Sequence, residues 1–123
     1  MDQPTLYPSR TVGTDTDLLP SYVPLPGLGV LPVNAYLIRS SEPVLVDTGL
    51  AALRDDFMAT LRRLIDPAEL RWIWVTHADA DHVGSLRAVL AEAPRARIVT
   101  NYLGMGKLNL QQVPLERSYL LNP

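Results

Sequence analysis

The chain contains no cysteine, and this absence excludes disulfide bonds and metal sites built on thiolates. Its net charge of -2 gives no basic surface, which argues against nucleic acid or an anionic membrane as a partner. No apolar run approaches the roughly 18 residues that a membrane span needs, and the N-terminus lacks the pattern of a secretory signal. We therefore expect one soluble, cytoplasmic domain of 123 residues.

The order of apolar runs and helical periods predicts an α/β fold with an extended N-terminal arm at 1–17 and one domain at 18–123. Four prolines within 18–32 favour an edge strand or a loop there. Trp72, Trp74 and Tyr36 are interpreted as core residues, and the arginines at 54, 62, 63 and 71 as a solvated face rather than an anion site. The predicted strands are 33–38, 44–47, 72–75, 97–100 and 118–121, and the first two are expected to pair as a hairpin. The predicted helices are 50–65, 83–93 and a weak helix at 101–112, with a single helical turn at 66–69.

Four potential metal ligands lie together where the strand at 72–75 ends. They are His77, Asp79, Asp81 and His82, and they include both histidines of the chain. Acidic residues before a helix can serve simply as caps, but two aspartates interleaved with two histidines favour metal binding. Imidazole suits zinc and iron, and carboxylate suits harder ions, so we expect one or two divalent ions of zinc, iron or manganese.

This segment resembles the HxHxDH signature of the metallo-β-lactamase superfamily, and the stretches at 34–38 and 44–49 are also similar to that family. The resemblance implies an αββα sandwich with metals at the strand ends between two sheets. It implies that His77 binds one metal, and that Asp81 and His82 bind the second. Asp81 would also orient a bridging hydroxide, which makes it the candidate catalytic residue.

Asp79 departs from the signature, because it stands where the second histidine is expected. A carboxylate at that place resembles some hydrolase-like members and the flavodiiron branch, and it hardens the site toward iron or manganese. The run from Gly84 to Leu86 also resembles the flavodiiron branch. Asp47 has two compatible interpretations: a cap for the following helix, or the acid that the resemblance implies behind the metals, where it orients a ligand histidine.

No histidine follows His82, although the resemblance implies further ligands later in the chain. We therefore expect only the N-terminal half of the sandwich, namely one sheet with flanking helices. Such a half exposes an apolar sheet face, which predicts a homo-oligomer or association with a complementary half.

Three functions remain open from the sequence. The leading one is a metal-dependent hydrolase in which a metal-bound water attacks a small ester, lactone, thioester or phosphodiester. The alternative is a flavodiiron-type protein that binds or reduces dioxygen. The third is a non-catalytic fragment that acts by association, so whether this chain is an enzyme stays undecided.

Overall fold

The computed structural model describes residues 3–76, 83–110, 113 and 116–121. The described residues form strands, short 3-10 turns and three α-helices, in an α/β order. The strands are β1 (Thr5–Leu6), β2 (Arg10–Thr11), β3 (Thr16–Leu25), β4 (Gly29–Ile38), β5 (Val44–Val46), β6 (Trp72–Trp74), β7 (Arg97–Asn101) and β8 (Ser118–Leu121). The helices are α1 (Arg54–Leu64), α2 (Leu86–Glu92) and α3 (Tyr102–Leu110), with 3-10 turns at Ala51–Leu53 and Pro67–Glu69.

All of these strands belong to one mixed sheet with the order β1-β3-β4-β5-β6-β7-β8, and β2 also pairs with β3. The first part is antiparallel, whereas β5, β6, β7 and β8 run parallel to one another. This confirms the predicted α/β class with a hairpin of β4 and β5. Because parallel strands end at the same edge of a sheet, Asp47 after β5 and Thr76 after β6 lie at one edge.

The helices cover one face of this sheet, and that interface holds the hydrophobic core. Leu45, Ile73 and Ile98 lie on adjacent parallel strands and are fully buried. Helix α1 contributes Phe57 and Leu61, which belong to the predicted helical stripe. Each such side chain stabilises the fold by about 1.5–3 kcal/mol relative to an exposed one. No helix among the described residues is long and apolar enough to span a bilayer.

The opposite face of the sheet is open. The strand registers align five residues across it: Tyr36, Val46, Trp74, Val99 and Tyr119. Trp74 is 46% exposed and Tyr119 is 48% exposed. The prediction of Trp74 as a core residue is therefore wrong. Successive residues of a strand face opposite sides, so Ile73 points to the helices and Trp74 cannot.

The remaining two aromatic predictions are only partly met, because Trp72 and Tyr36 are half-buried rather than in the core. Trp72 lies on the open face beside the guanidinium group of Arg97. The guanidinium carbon is 6.0 Å from the centre of the Trp72 ring and 5.4 Å from that of Tyr119. These are distances at which cation–π attraction operates.

The proline-containing segment is more regular than the sequence indicates. Residues 18–32 were expected as an edge strand or a loop, whereas β3 and β4 pair antiparallel over ten residues each. Within the described ranges, the far side of β3 is bordered only by the two-residue strands β1 and β2, so missing proline N–H groups leave few ladder bonds unmade. The arm at 1–17 thus contributes two short strands to the sheet edge.

A buried carboxylate attaches the arm to the sheet. Asp17 accepts a hydrogen bond from the Thr11 hydroxyl at 3.0 Å, and its second oxygen lies 2.9 Å from the Nε atom of Arg39. Pairing with a guanidinium offsets part of the desolvation cost of burying an acid. The carboxylate therefore links β2, β3 and the end of β4.

The helix boundaries differ from the predicted ones at their starts. The predicted helix at 50–65 begins as a 3-10 turn, and the predicted helix at 83–93 becomes α-helical only at Leu86. Helix α3 continues through Gly104 and Gly106. Its start is capped by Asn101, whose side-chain oxygen accepts a hydrogen bond from the Gly104 N–H at 2.7 Å. At 66–69 the predicted single turn is present, and Asp66 accepts from the Ala68 N–H at 3.0 Å.

Three of the four predicted surface arginines contact other side chains. Arg62 on α1 forms a two-point pair with Glu92 on α2, and its Nε atom lies 2.9 Å from the Glu92 carboxylate. Hydrogen bonding from Arg62 lowers the pKa of Glu92, and the same bond raises the pKa of Arg62. Arg63 donates to the Thr60 hydroxyl, and Arg71 lies 3.9 Å from Glu42.

Arg117 caps the carboxyl end of α2. Its two terminal nitrogens donate to the carbonyls of Ala93 at 2.7 Å and Leu90 at 2.9 Å. We expect Arg117→Gln to lower the free energy of unfolding by about 1–3 kcal/mol, because carbonyls at a helix end lose a charged donor. Urea denaturation measures this loss. Arg95→Gln is the control, since Arg95 makes a single 3.4 Å bond to the Ala68 carbonyl; equal losses in both variants would contradict the capping role.

Candidate metal centre

The predicted ligands His77, Asp79, Asp81 and His82 lie in the segment 77–82, outside the described residues. Their assignment as ligands stays a prediction from the sequence. Within the described residues, no group of three or more histidine, cysteine, aspartate or glutamate side chains could hold a metal ion. The structure does describe the chain on both sides of the segment, up to Thr76 and again from Val83.

Asp47 binds the residue that immediately precedes this segment. One carboxylate oxygen accepts a hydrogen bond from the backbone N–H of Thr76 at 2.9 Å, and the other accepts from the Thr76 hydroxyl at 2.5 Å. The residue is 4% exposed and has a φ of 63°, a conformation that aspartate tolerates better than most side chains. Asp47 therefore fixes both the backbone and the side chain next to His77.

The helix-capping interpretation of Asp47 does not describe what its carboxylate does here. The residues at the N-cap positions of the 3-10 turn and of α1 are Leu50 and Leu53. Both oxygens of Asp47 instead engage Thr76, on the neighbouring parallel strand. The role of Asp47 behind a metal site stays a prediction from the sequence.

The two residues after Asp47 bind the other flank of the segment. The Gly84 N–H donates to the carbonyl of Gly49 at 2.7 Å. The Ser85 N–H donates to the hydroxyl of Thr48, a fully buried residue, at 3.3 Å. We call residues 47–49 the anchoring turn, because this turn holds the chain just before and just after 77–82.

The contact between the anchoring turn and Gly84 is very close. A Cβ atom on Gly84 would lie 2.0 Å from the backbone nitrogen of Ala51 and 2.6 Å from the carbonyl oxygen of Gly49. Gly84 was predicted only as part of the run that resembles the flavodiiron branch, and Thr48 was given no role. A glycine two residues after His82 and a hydroxyl residue directly after Asp47 were the available signals.

A cleft of about 570 Å³ opens beside this contact. It was not predicted, because Arg87 was given no role and Arg54 was assigned to the solvated face. The described lining residues come from the starts of α1 and α2 and from the chain after α3: Ala51, Arg54, Val83, Gly84, Arg87, Ala88 and Val113.

The fold and the candidate site together define a class of protein. It is an α/β protein whose mixed sheet carries helices on one face, and a segment rich in potential metal ligands follows one of its parallel strands. The family model described as Metallo-beta-lactamase superfamily matches residues 28–112. The chain belongs to the metallo-β-lactamase superfamily.

Two relatives have names that are more specific than the superfamily. The chain is 30% identical over 80 residues to Flavo-diiron protein FprA2 of Clostridium acetobutylicum, which corresponds to 65% of this chain and 20% of that protein. It is 36% identical over 76 residues to the anaerobic nitric oxide reductase flavorubredoxin of Salmonella arizonae, or 62% of this chain and 16% of that protein. The chain thus corresponds to no more than a fifth of either relative.

Among solved structures, the chain superposes on a mutant Flavo Di-iron protein from Thermotoga maritima with a TM-score of 0.84. The sequences are 22% identical, and the match covers 98% of this chain and 33% of the other. At that identity the match concerns the fold. It confirms the predicted metallo-β-lactamase-like architecture of one sheet with flanking helices.

Proposed function

We propose that this chain is the metal-binding part of a cytoplasmic flavodiiron-type oxidoreductase that binds iron and reduces dioxygen or nitric oxide. The names of two relatives carry this proposal. One is called a flavo-diiron protein and is 30% identical to this chain over the matched residues; the other is called a nitric oxide reductase and is 36% identical. Asp79 supports it further, because a carboxylate in place of an imidazole suits iron better than zinc. The comparisons thus favour the function that the sequence analysis ranked second.

The donor chemistry of the chain fits such a metal. Two imidazoles and two carboxylates, from His77, Asp79, Asp81 and His82, suit iron, zinc or manganese, and the anchoring turn restrains both ends of the segment that carries them. When bound, iron would supply Lewis acidity and electron transfer. Asp81 would act as a metal ligand, and Asp47 would position the start of the segment through Thr76.

A metal-dependent hydrolase remains the second candidate, because membership of the superfamily favours it independently of the relatives' names. It would use the same four residues, with zinc or manganese, on an ester, lactone, thioester or phosphodiester. Oxygen-dependent spectral change in an iron-loaded sample would favour the oxidoreductase. Hydrolysis of a generic ester or phosphodiester by a zinc-loaded or manganese-loaded sample would favour the hydrolase.

Metal content tests both candidates against a non-catalytic chain that acts only by association. Protein purified without added metal is expected to carry one or two iron ions, measured by mass spectrometry, and the double variant Asp79→Ala, His82→Ala is expected to lose them. The control is Asp15→Ala, Asp56→Ala, which removes two exposed carboxylates elsewhere. Zinc in place of iron would favour hydrolysis, and metal-free protein with an unchanged fold would favour the non-catalytic candidate.

We also propose that the open sheet face mediates association with a second copy of this chain. The half-exposed side chains of Trp74 and Tyr119 lie on either side of Val99 in one row across the strands, and exposed apolar surface drives association. Light scattering is expected to give a multiple of 13.6 kDa, and Trp74→Glu is expected to shift the protein toward one chain. Leu110→Glu is the control, since Leu110 is 84% exposed on α3. A monomeric parent protein with a cooperative thermal transition would contradict this proposal.

A further inference from the structure

Ser85 occupies the N-cap position of α2, but its side chain does not cap the helix. Serine is among the residues most favoured at this position, because its hydroxyl can accept a hydrogen bond from a backbone N–H group of the first turn. Asn101 caps α3 in this way, whereas the side chain of Ser85 makes no capping bond. The hydroxyl of Ser85 is therefore not used by the helix that it precedes.

The same hydroxyl is buried without a hydrogen-bond partner. Ser85 is 0% exposed, and its Oγ atom bonds to no other group in the part of the chain that the structure describes. A buried hydroxyl in that state has lost its bonds to water without replacing them, and for this reason most buried side-chain polar groups in native proteins are paired. A bond that forms only when a metal occupies the adjacent candidate centre would account for this exception.

The backbone of Ser85 is held on both sides of its side chain. Its N–H donates to the Thr48 hydroxyl at 3.3 Å, and its carbonyl accepts from the Val89 N–H at 3.0 Å. The preceding Gly84 is bonded to Gly49 of the anchoring turn. Because these bonds fix the main chain, Ser85 cannot move outward to bring its hydroxyl into contact with solvent.

Ser85 is three residues from His82, the last of the predicted ligands, and three residues of chain span at most about 11 Å. We propose that Ser85 is a positioning residue of the predicted metal centre, and that its hydroxyl forms a hydrogen bond with a ligand side chain of the segment 77–82. Such bonds orient metal ligands and raise metal affinity without any contact with the metal. This inference rests on the proposed function, because it requires that the segment bind a metal.

The test uses cobalt(II) as the probe, added to the metal-free full chain, with affinity measured by competition with a chelator and the visible absorption spectrum as a second readout. Ser85→Ala is expected to weaken cobalt affinity about 10- to 100-fold and to change the spectrum, because a ligand loses its supporting hydrogen bond. Without metal, the same variant is expected to unfold at a urea concentration equal to or above that of the parent, because it removes a buried hydroxyl that has no partner.

Ser118→Ala is the matched control. Ser118 begins β8 at the opposite edge of the sheet, and its Oγ atom is likewise buried with no partner among the described residues. This variant is expected to keep the parental cobalt affinity and spectrum. Parental affinity and spectrum in Ser85→Ala, or a lower urea midpoint of its metal-free form, would overturn the positioning role alone. A parent chain that binds no cobalt would instead overturn the proposed function, and the positioning role with it.

Discussion

Gly84→Ala is expected to lower the free energy of unfolding by about 3 kcal/mol or more. The added Cβ atom would lie 2.0 Å from the Ala51 nitrogen, 2.4 Å from the Leu50 carbonyl carbon and 2.6 Å from the Gly49 oxygen. All three are backbone atoms, so no side chain can rotate away. The anchoring turn must then separate from Gly84, and the hydrogen bond between the two glycines is lost with it. Urea denaturation with circular dichroism measures the effect.

Gly106→Ala is the matched control for this substitution. Gly106 lies within α3, and a Cβ atom there would meet no atom within 4 Å. Because alanine favours helix over glycine, this variant is expected to be neutral or up to about 1 kcal/mol more stable. If both variants unfold at the same urea concentration as the parent, the close contact between Gly84 and the anchoring turn does not exist in solution.

The sequence predicts the secondary structure of this chain well where hydrophobic periodicity is strong. The stripe of α1 is a clear case, because Phe57 and Leu61 recur at helical spacing and both are buried. The parallel strands were also predicted, since each is a short apolar run. By contrast, the ten-residue pairing of β3 with β4 was not predicted, because prolines usually argue against a long strand. They are tolerated here because β3 has little pairing on its other side.

The exposure of Trp74 was missed for a different reason. Short strands that are apolar on both faces give no alternation, so the sequence cannot tell which face the helices will cover. Ile73 and Trp74 are equally apolar, and only the three-dimensional position of the helices separates the buried residue from the half-exposed one. For the same reason the sequence did not predict that aromatic residues and valines alternate across the open face.

The candidate metal centre shows what local sequence can and cannot provide. Four ligand-type side chains within six residues are evident from the sequence, since their chemistry is local. Their support is not local, because Thr76 binds Asp47 across 29 positions and Ser85 binds Thr48 across 37. Contacts of that separation follow from strand pairing, so the anchoring turn became visible only once β5 and β6 were placed side by side.

The anchoring turn leads to the second large expected effect, that of Asp47→Asn. Asparagine is nearly isosteric with aspartate and tolerates a φ of 63°, so the backbone can keep its conformation. Its amide group, however, carries no negative charge, so both Thr76 donors lose a charged acceptor, and the amide nitrogen cannot accept from the Thr76 hydroxyl. We expect a loss of about 1–3 kcal/mol in the free energy of unfolding. If the ligand assignment holds, metal affinity in a chelator competition is expected to fall roughly 10- to 100-fold.

Variants at Thr76 separate positioning from stability. Thr76→Ser keeps the hydroxyl donor to Asp47 and is expected to retain parental metal affinity, whereas Thr76→Val removes that donor but keeps the backbone N–H. Thr76→Val is therefore expected to fall between the parent and Asp47→Asn in affinity. A folded Asp47→Asn variant with parental metal affinity would make Asp47 a purely structural residue. The ligand segment would then owe its position to the contacts of Gly84 and Ser85, because these are the anchoring-turn contacts that the variant leaves intact.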